Sequence, residues 1–331
     1  MSKQIVIGVD GGGTSTRVAL ATREGEILGI GTAGAGNYHD VGAEVVGANI
    51  AQALSEAWAM TCMPAQRADA AFLGLGSVAS AEDRATILRV AEDLSLAENG
   101  MIGVDHDLRV ALAGGLVGKP GIILIAGTGA SCFGRADDGR TWRAGGWGPL
   151  LDDVGSSGWL GLQSMIATVR AYDGRGKPTI LSSLVLQALE IEDIDQIMFR
   201  IDGQGLTRRE MGKLATLVTE SAAEGDLVAQ EIIAAGTEEL ATLIATVSNT
   251  LDLSTSMQTV PVAVTGGLTN AGAIFFDPLR EAVQRFAPSC EIAEPKLPPV
   301  LGAVLVALQS LEIELSEELV ENLVSSQSVQ L

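Results

Sequence analysis

Two stretches of the chain follow one plan, in which a short apolar strand ends in a turn of glycine and threonine and a second strand follows. In the first stretch, residues 5–20, the turn Gly11-Gly12-Gly13-Thr14 follows Asp10. In the second stretch, residues 121–135, the turn is Gly127-Thr128-Gly129. Each pair of strands leads into a third strand through an acidic residue and a glycine, which is typical of a hairpin. The repeat predicts two related lobes, each beginning with an antiparallel meander.

The residue types of the first turn favour an anion as ligand. Consecutive glycines allow positive φ angles and let backbone N–H groups approach a bulky anion closely. Asp10 at the end of the strand could hold a hydrated Mg²⁺, and the hydroxyl of Thr14 could bind a phosphate oxygen. The turn matches neither a P-loop nor the dinucleotide fingerprint. A glycine-rich hairpin without a ligand is the alternative.

Composition limits the classes of function. The 331 residues are enough for two domains, and a net charge of −20 disfavours binding to nucleic acid. An anionic ligand must then be held by backbone N–H groups, hydroxyls and a metal ion. Three separated cysteines predict neither a disulfide framework nor a zinc site. Without a signal sequence or a spanning apolar run, the chain is predicted to be cytoplasmic and not membrane-bound.

Strands and helices alternate after each meander, which indicates an α/β fold. Ser80 and Asp83 have the spacing of a capping box before a helix over 81–94. Long helices are predicted between 208 and 253 with a break at Gly225-Asp226, and a last helix is predicted over 300–311 to pack on a sheet. The Gly/Pro-rich segment 114–121 is the best domain boundary.

Two carboxylates near the end of a strand over 101–104 are candidates for a catalytic role. Asp105 ends the strand, where carboxylates of α/β proteins commonly face a ligand. Its alternative role is to cap the helix that starts at His106. Asp107 is a rival for the functional role, and the position of Asp105 at the strand end favours Asp105.

The segment 145–156 has residues suited to a sugar. The indole of Trp147, flanked by Gly146 and Gly148, offers a flat face, and the carboxylate of Asp153 accepts hydrogen bonds from hydroxyls. A tight loop with a core tryptophan is the alternative. The amide of Asn37 could also bind a polyol, although asparagine in a glycine-rich turn is more often only a turn residue.

A strand over 260–264 ends in Thr265-Gly266-Gly267, followed by Asn270. Such a turn lets a flat ring, an adenine or a ribose, lie against the backbone. The break at Gly225 could line the other side of that ring. Each segment can also be read as an ordinary connection between elements.

Taken in order, these motifs resemble the ATP-dependent sugar kinases of the actin/hexokinase/Hsp70 fold. The chain is most similar to the N-acetylglucosamine kinase and glucosamine kinase branch of the BadF/BadG-type ATPase family, over residues 9–308. The resemblance implies two ribonuclease H-like lobes with the active site in the cleft between them. The predicted small lobe covers residues 1–117, with the tail 312–331 returning to it, and the larger lobe covers 118–311.

The resemblance also assigns roles to residues. It implies in-line transfer of a phosphoryl group from ATP, with Mg²⁺ near Asp10 and Asp105 as general base for a sugar hydroxyl, O6 being expected. A homodimer would be ordinary for such kinases. The predicted ATP-binding residues are Asp10, Gly12, Gly13, Thr14, Thr128, Gly129, Gly225, Gly266, Gly267 and Asn270. The predicted sugar-binding residues are Asn37, Asp105, Gly146, Trp147 and Asp153.

The chain departs from the family pattern at one place. The family usually has Gly-Asp-Glu-Gly where this chain has Asp152-Asp153-Val154-Gly155, which bears on substrate preference and on activity. A BadF-type activator of a dehydratase or reductase is one alternative function, although such proteins resemble this chain while using paired cysteines for an iron–sulfur cluster. A non-catalytic nucleotide- or sugar-binding regulator is the other.

Overall fold

The computed structural model describes residues 4–98, 100–203 and 205–330. It divides into two compact units, one formed by Met1–Pro120 with Glu294–Leu331 and the other by Gly121–Ala293. Each unit contains one five-stranded sheet covered by helices. The predicted α/β class with two related lobes is confirmed.

The first unit begins with an antiparallel meander of β1, β2 and β3, and β4 and β5 then pair parallel to β1 on its other side. The strand order is therefore β3-β2-β1-β4-β5. Its strands are β1 (Ile5–Gly11), β2 (Thr16–Thr22), β3 (Ile27–Ala33), β4 (Ala70–Leu75) and β5 (Ile102–Asp105). Its first four helices are α1 (Tyr38–Val41), α2 (Ala43–Ala59), α3 (Ala81–Asp93) and α4 (Asp107–Gly115).

The second unit repeats this topology. The strand order is β10-β9-β6-β7-β8, with an antiparallel meander of β6, β7 and β8 and with β9 and β10 parallel to β6. Its strands are β6 (Gly121–Ala126), β7 (Ala130–Arg135), β8 (Thr141–Gly145), β9 (Val260–Thr265) and β10 (Cys290–Ala293). Its helices are α5 (Ser157–Tyr172), α6 (Leu181–Ala188), α7 (Arg208–Ala223), α8 (Leu227–Thr250), α9 (Leu253–Ser256) and α10 (Ala273–Phe286).

Local sequence signals set several helix ends. The Ser80 side chain accepts a hydrogen bond from the Asp83 N–H, and the Asp83 side chain binds the Ser80 N–H, so the predicted capping box at α3 is confirmed. The predicted break between α7 and α8 lies at Gly225, which has a φ of +93°, and Asp226 caps α8.

The predicted place of the last apolar helix differs from the structure. Residues 294–311 were expected in the second lobe, but α11 (Pro299–Ser310) belongs to the first unit, followed there by α12 (Glu317–Gln330). Helix α11 packs on the face of β1 that carries Gly8. This close packing requires glycine there, because a Cβ on Gly8 would lie 2.6 Å from the carbonyl oxygen of Val300. A Cβ on Gly302 of α11 would lie 1.9 Å from the carbonyl oxygen of Val110 on α4. Because Gly8 and Gly302 have no side chains, α11 can pack between the sheet and α4.

None of the helices over the described ranges is both long enough and apolar enough to cross a membrane.

Candidate functional site

The carboxyl ends of three parallel strands meet at one edge of the sheet in the first unit. The register pairs Asp10 of β1 with Gly74 of β4, and Gly74 with Asp105 of β5. The turn between β1 and β2, residues 12–15, lies at the same edge. Polar groups that follow these strands are therefore brought together, as in other α/β proteins.

Two neighbouring turns hold the first glycine turn in place. The Gly36 N–H donates to the Gly12 carbonyl at 2.8 Å, and the Gly76 N–H donates to the Gly11 carbonyl at 2.9 Å. Inside the turn, the Gly12 N–H donates to the Ser15 carbonyl at 3.0 Å. Over the described residues, no hydrogen bond is made by the N–H groups of residues 13–15, so these three donors are available to a ligand.

One of the two predicted reasons for the glycines of this turn, a positive φ angle, is wrong. Gly11 and Gly12 do not take positive φ angles. Instead, a Cβ on Gly11 would lie 2.2 Å from Cδ2 of Leu75, so close packing on β4 requires glycine there. A Cβ on Gly12 would meet nothing within 4 Å, so its outer side is open.

Asp10 has another carboxylate as a neighbour. Burial, together with the negative charge of Asp107, raises the pKa of Asp10 to about 7, against a smaller opposite effect of Arg17. Asp107 begins α4, and its Oδ2 would lie 3.0 Å from a Cβ on Gly76. Two carboxylates that repel each other beside free N–H donors form a set of oxygen ligands suited to Mg²⁺, which usually binds one or two carboxylates and keeps several waters.

Asp105, the predicted base, lies between the positively charged side chains of Arg84 and Arg109. Its Oδ1 accepts from Nη2 of Arg84 at 2.7 Å, and its Oδ2 accepts from Nη1 of Arg109 at 2.8 Å. Its Oδ1 also accepts from the His106 N–H at 2.9 Å. Burial opposes ionisation, but these hydrogen bonds and the nearby His106 outweigh it and lower the pKa of Asp105. A carboxylate with both oxygens engaged and a lowered pKa is a poor proton acceptor, and this environment disfavours the predicted role.

The alternative interpretation of Asp105 as the cap of α4 is wrong, because the cap is His106, whose ring accepts from the Arg109 N–H at 3.1 Å. The role of Asp105 as general base stays a prediction.

Asn37 lies close to the first turn, since Gly36 binds Gly12. Its Oδ1 accepts from the His39 N–H at 3.0 Å and caps α1. The amide nitrogen makes no hydrogen bond with the described residues. Asn37 thus acts as a turn residue and retains a donor that a ligand could use.

In the second unit, the turn of Thr128 and Gly129 is fixed from two sides. The Ser157 N–H donates to the Gly127 carbonyl at 2.8 Å, and the Gly158 N–H donates to the Thr128 carbonyl at 3.1 Å. The start of α5 therefore supports this turn. Thr128 is exposed, and the N–H groups of Thr128 and Gly129 bind no acceptor in the described part of the chain.

Asp153 supports the same turn from the other side. This buried residue has a φ of +63°, and its Oδ1 accepts from the Ala130 N–H at 3.1 Å. A Cβ on Gly129 would lie 2.9 Å from its Oδ2. The structure thus brings Asp153, predicted to bind sugar, to the second glycine turn. The neighbouring Val154, where the family usually has glutamate, is half-buried.

Trp147 is an exposed side chain and not a core residue. Its exposed fraction is 71%, and Leu150 next along the loop reaches 93%. Gly146 and Gly148 on either side have φ angles of +77° and +88°. The Arg143 guanidinium lies 5.6 Å from the centroid of the indole ring and donates to the Gly146 carbonyl at 3.0 Å, which sets the position of the indole.

The predicted adenosine residues fall in two places in the second unit. Gly266 follows β9 with a φ of +111°, and its Cβ would lie 2.4 Å from the Ala126 carbonyl oxygen at the end of β6. Gly266 therefore lies next to the second glycine turn, and Gly267 and the exposed Asn270 follow it in a 3₁₀ turn. Gly225, in contrast, lies at the exposed break between α7 and α8, and no contact over the described residues joins it to that turn.

Prediction from sequence placed Asp107 second to Asp105 and gave Asp83 only a capping role. It did not single out Tyr38 or His39, which contact Asp83 beside Asn37. One feature of the sequence could have drawn attention to Asp107. It is the first residue of α4 and directly follows the capping residue His106.

Comparison with known proteins agrees with the motifs. The family model for the BadF/BadG/BcrA/BcrD ATPase family matches residues 7–307. An N-acetylmuramic acid/N-acetylglucosamine kinase from Clostridium acetobutylicum is 31% identical over 91% of this chain and 97% of its own. An N-acetyl-D-glucosamine kinase from Dictyostelium discoideum is 30% identical over 94% of this chain and 99% of its own.

A solved structure from Chromobacterium violaceum, provisionally named an N-acetylglucosamine kinase, has a TM-score of 0.74 and 28% identity, covering 93% of this chain and 100% of that one. The predicted family resemblance is confirmed. The chain belongs to the BadF/BadG/BcrA/BcrD ATPase family.

Proposed function

We propose that this protein is an ATP-dependent kinase that phosphorylates a hydroxyl of an amino sugar, N-acetylglucosamine or glucosamine, at O6. The names of its relatives support the substrate class. The observation that carries the proposal is the edge of the first sheet, where Asp10 and Asp107 stand beside a turn with three free N–H donors.

The residues of this chain fit ATP and Mg²⁺. The free N–H groups of residues 13–15 would hold phosphate oxygens in the first unit, and those of Thr128 and Gly129 would do so in the second. Asp10 would bind Mg²⁺, because its ionised form is costly without a cation. When bound, ATP supplies the phosphoryl group, and Mg²⁺ neutralises part of its charge.

We assign the general base to Asp107 in place of Asp105. Asp107 lies beside Gly76, close enough to Asp10 to influence its ionisation, and its Oδ1 accepts from the Leu108 N–H at 2.8 Å. Both oxygens of Asp105 accept hydrogen bonds from arginines. Asp107 would orient the sugar hydroxyl and accept its proton as the phosphoryl group is transferred. Asn37 would offer its amide to another sugar hydroxyl. In the second unit, the exposed indole of Trp147 has a flat face of the kind that packs on a sugar ring.

The first experiment measures ADP release with glucosamine, N-acetylglucosamine, N-acetylmannosamine, N-acetylmuramic acid and glucose. We expect an amino sugar to stimulate release, and we expect its 6-deoxy analogue to be inactive. If none of the sugars stimulates ADP release, the proposal is wrong. An iron and sulfide assay on anaerobically purified protein tests the alternative activator function, since a stoichiometric cluster would contradict the kinase.

The second experiment compares Asp107→Asn with Asp105→Asn, two isosteric changes two residues apart. Loss of a general base typically lowers kcat by roughly 10²–10⁴-fold, and we expect this for Asp107→Asn with ATP binding retained. Asp105→Asn should keep most of the activity and the pH profile of the wild type. If Asp105→Asn instead loses more activity than Asp107→Asn, the general base is Asp105.

A further inference from the structure

One polar cluster beside Asn37 has no part in the roles described above. Its centre is Asp83, a buried residue at the third position of α3. One oxygen of Asp83, Oδ2, accepts from the N–H groups of Ala79 at 3.0 Å and Ser80 at 2.8 Å. These contacts complete the capping box and leave the other oxygen free for a different use.

The other oxygen of Asp83 binds two side chains of α1. The Tyr38 hydroxyl donates to Oδ1, and Nε2 of His39 lies 3.3 Å from the same atom. The two rings stack with centroids 4.1 Å apart. The hydrogen bond from Tyr38 lowers the pKa of Asp83 and raises that of Tyr38 to about 12, so the contact joins an ionised carboxylate to a neutral phenol, the stronger class of hydrogen bond.

This cluster joins two turns of the site. Asn37 immediately precedes Tyr38 and binds the His39 N–H. On the other side, Nε2 of His39 lies 3.2 Å from the Ser77 carbonyl, and Ser77 follows Gly76, the residue beside Asp107. Helix capping alone does not require the contacts to Tyr38 and His39. Their effect is to fix the distance between the turn of Asn37 and the turn that flanks Asp107.

We propose that Asp83 is a positioning residue for the sugar, which holds the amide of Asn37 at a fixed distance from Asp107 through Tyr38 and His39. The proposal rests on the proposed function, because it requires an amino sugar between these two side chains. An error of about 1 Å in placing a reacting group can cost roughly 100-fold in rate, so a rigid connection of this kind has a catalytic use.

The test uses Tyr38→Phe and His39→Gln in the full-length enzyme, because both changes remove a contact to Asp83 while the capping box remains. We expect the KM for the amino sugar to rise roughly tenfold for Tyr38→Phe, which is the loss of one hydrogen bond to a charged group. The KM for ATP should stay within twofold of the wild type. Asp83→Asn should raise the sugar KM further, with additional loss of stability at α3.

Asn322→Ala is the matched control, because it also removes one side-chain hydrogen bond in the first unit, from Asn322 to the Glu24 carbonyl at 2.8 Å. A sugar KM for Tyr38→Phe within twofold of the wild type would overturn the proposal. If Tyr38→Phe changes the KM for the sugar and the KM for ATP equally, and lowers Tm more than the control does, the role of Asp83 is structural only. If the wild type accepts no amino sugar at all, the proposed function fails first and this inference fails with it.

Discussion

The two units carry the same strand–turn–strand motif but support it differently. In the first unit, backbone N–H groups of neighbouring turns hold the glycine turn through Gly11 and Gly12, and its outer side is open. In the second unit, the start of α5 and the carboxylate of Asp153 enclose the turn of Gly129. The open turn has two carboxylates near it, those of Asp10 and Asp107, whereas the one carboxylate described beside the enclosed turn, that of Asp153, accepts a hydrogen bond from the Ala130 N–H.

If the proposed function holds, this difference gives the two turns different roles. Under the proposed function, the carboxylates of Asp10 and Asp107 beside the first turn would bind a cation and accept a proton. A turn fixed by a buried carboxylate and a helix offers only a rigid set of N–H donors. One supersecondary motif can therefore serve chemistry in one unit and binding in the other, because its surroundings differ.

The largest effect is expected for Asp10→Asn. The variant should lose activity by at least roughly 100-fold, since the residue proposed to hold Mg²⁺ is gone. The apo protein should nevertheless become more stable above pH 7. The folded-state pKa of Asp10, about 7, lies above its ordinary value of 3.8, so stability falls as pH rises between these values and ionised Asp10 is destabilising beyond them.

Thermal unfolding of the two proteins without metal, at pH 5 and pH 8, checks this prediction. The gain in Tm should appear at pH 8 and shrink at pH 5, and Mg²⁺ with ATP should raise the Tm of the wild type more than that of the variant. A variant that is less stable than the wild type at pH 8 would show that Asp10 has a stabilising partner in the folded protein.

An intermediate effect is expected from a matched pair of glycine substitutions. Gly129→Ala should destabilise the protein by about 1–3 kcal/mol, because the new Cβ would lie 2.9 Å from the Asp153 carboxylate, which a hydrogen bond holds in place. Gly12→Ala should change stability by less than about 0.5 kcal/mol, because its Cβ meets open space.

Denaturant unfolding measures the stability of both variants, and the KM for ATP measures the function of the turn. Gly12→Ala should raise that KM, since a methyl group would enter the space left for phosphate. Equal loss of stability in the two variants would contradict the contrast between an open and an enclosed turn.

The smallest effect is expected for the stability of Asp105→Asn. The lowered pKa of Asp105 means that its ionised form stabilises the fold above the ordinary value of 3.8, and that this contribution is lost as pH falls below it. The arginine partners are about half exposed, so the loss at pH 7 should be about 1 kcal/mol.

The Tm difference between wild type and Asp105→Asn, followed from pH 7 down to pH 3, should decrease toward zero. Arg84→Met should reproduce part of the effect at pH 7. A Tm difference that is independent of pH would mean that the ion pairs of Asp105 contribute nothing.

Much of the local structure could be predicted because its causes lie close together in the sequence. The hairpins at both glycine turns, the capping box of Ser80 and Asp83, and the break at Gly225 each depend on residues a few positions apart. The choice between Asp105 and Asp107 could not be made in this way. It depends on Arg84, which lies on another helix, and on Gly76, which follows another strand.

By itself, the sequence determined that the chain has two related α/β units, that each begins with a glycine-containing turn, and that the family is one of ATPases. The first two properties follow from residue order and local periodicity, and the third follows from the resemblance of the ordered motifs to a known family. Only the tertiary structure decided that Asp153 supports the second turn, that α11 belongs to the first unit, and that Asp105 is paired with arginines. Each of these outcomes depends on contacts between residues that are distant in sequence, where packing and charge select the neighbours.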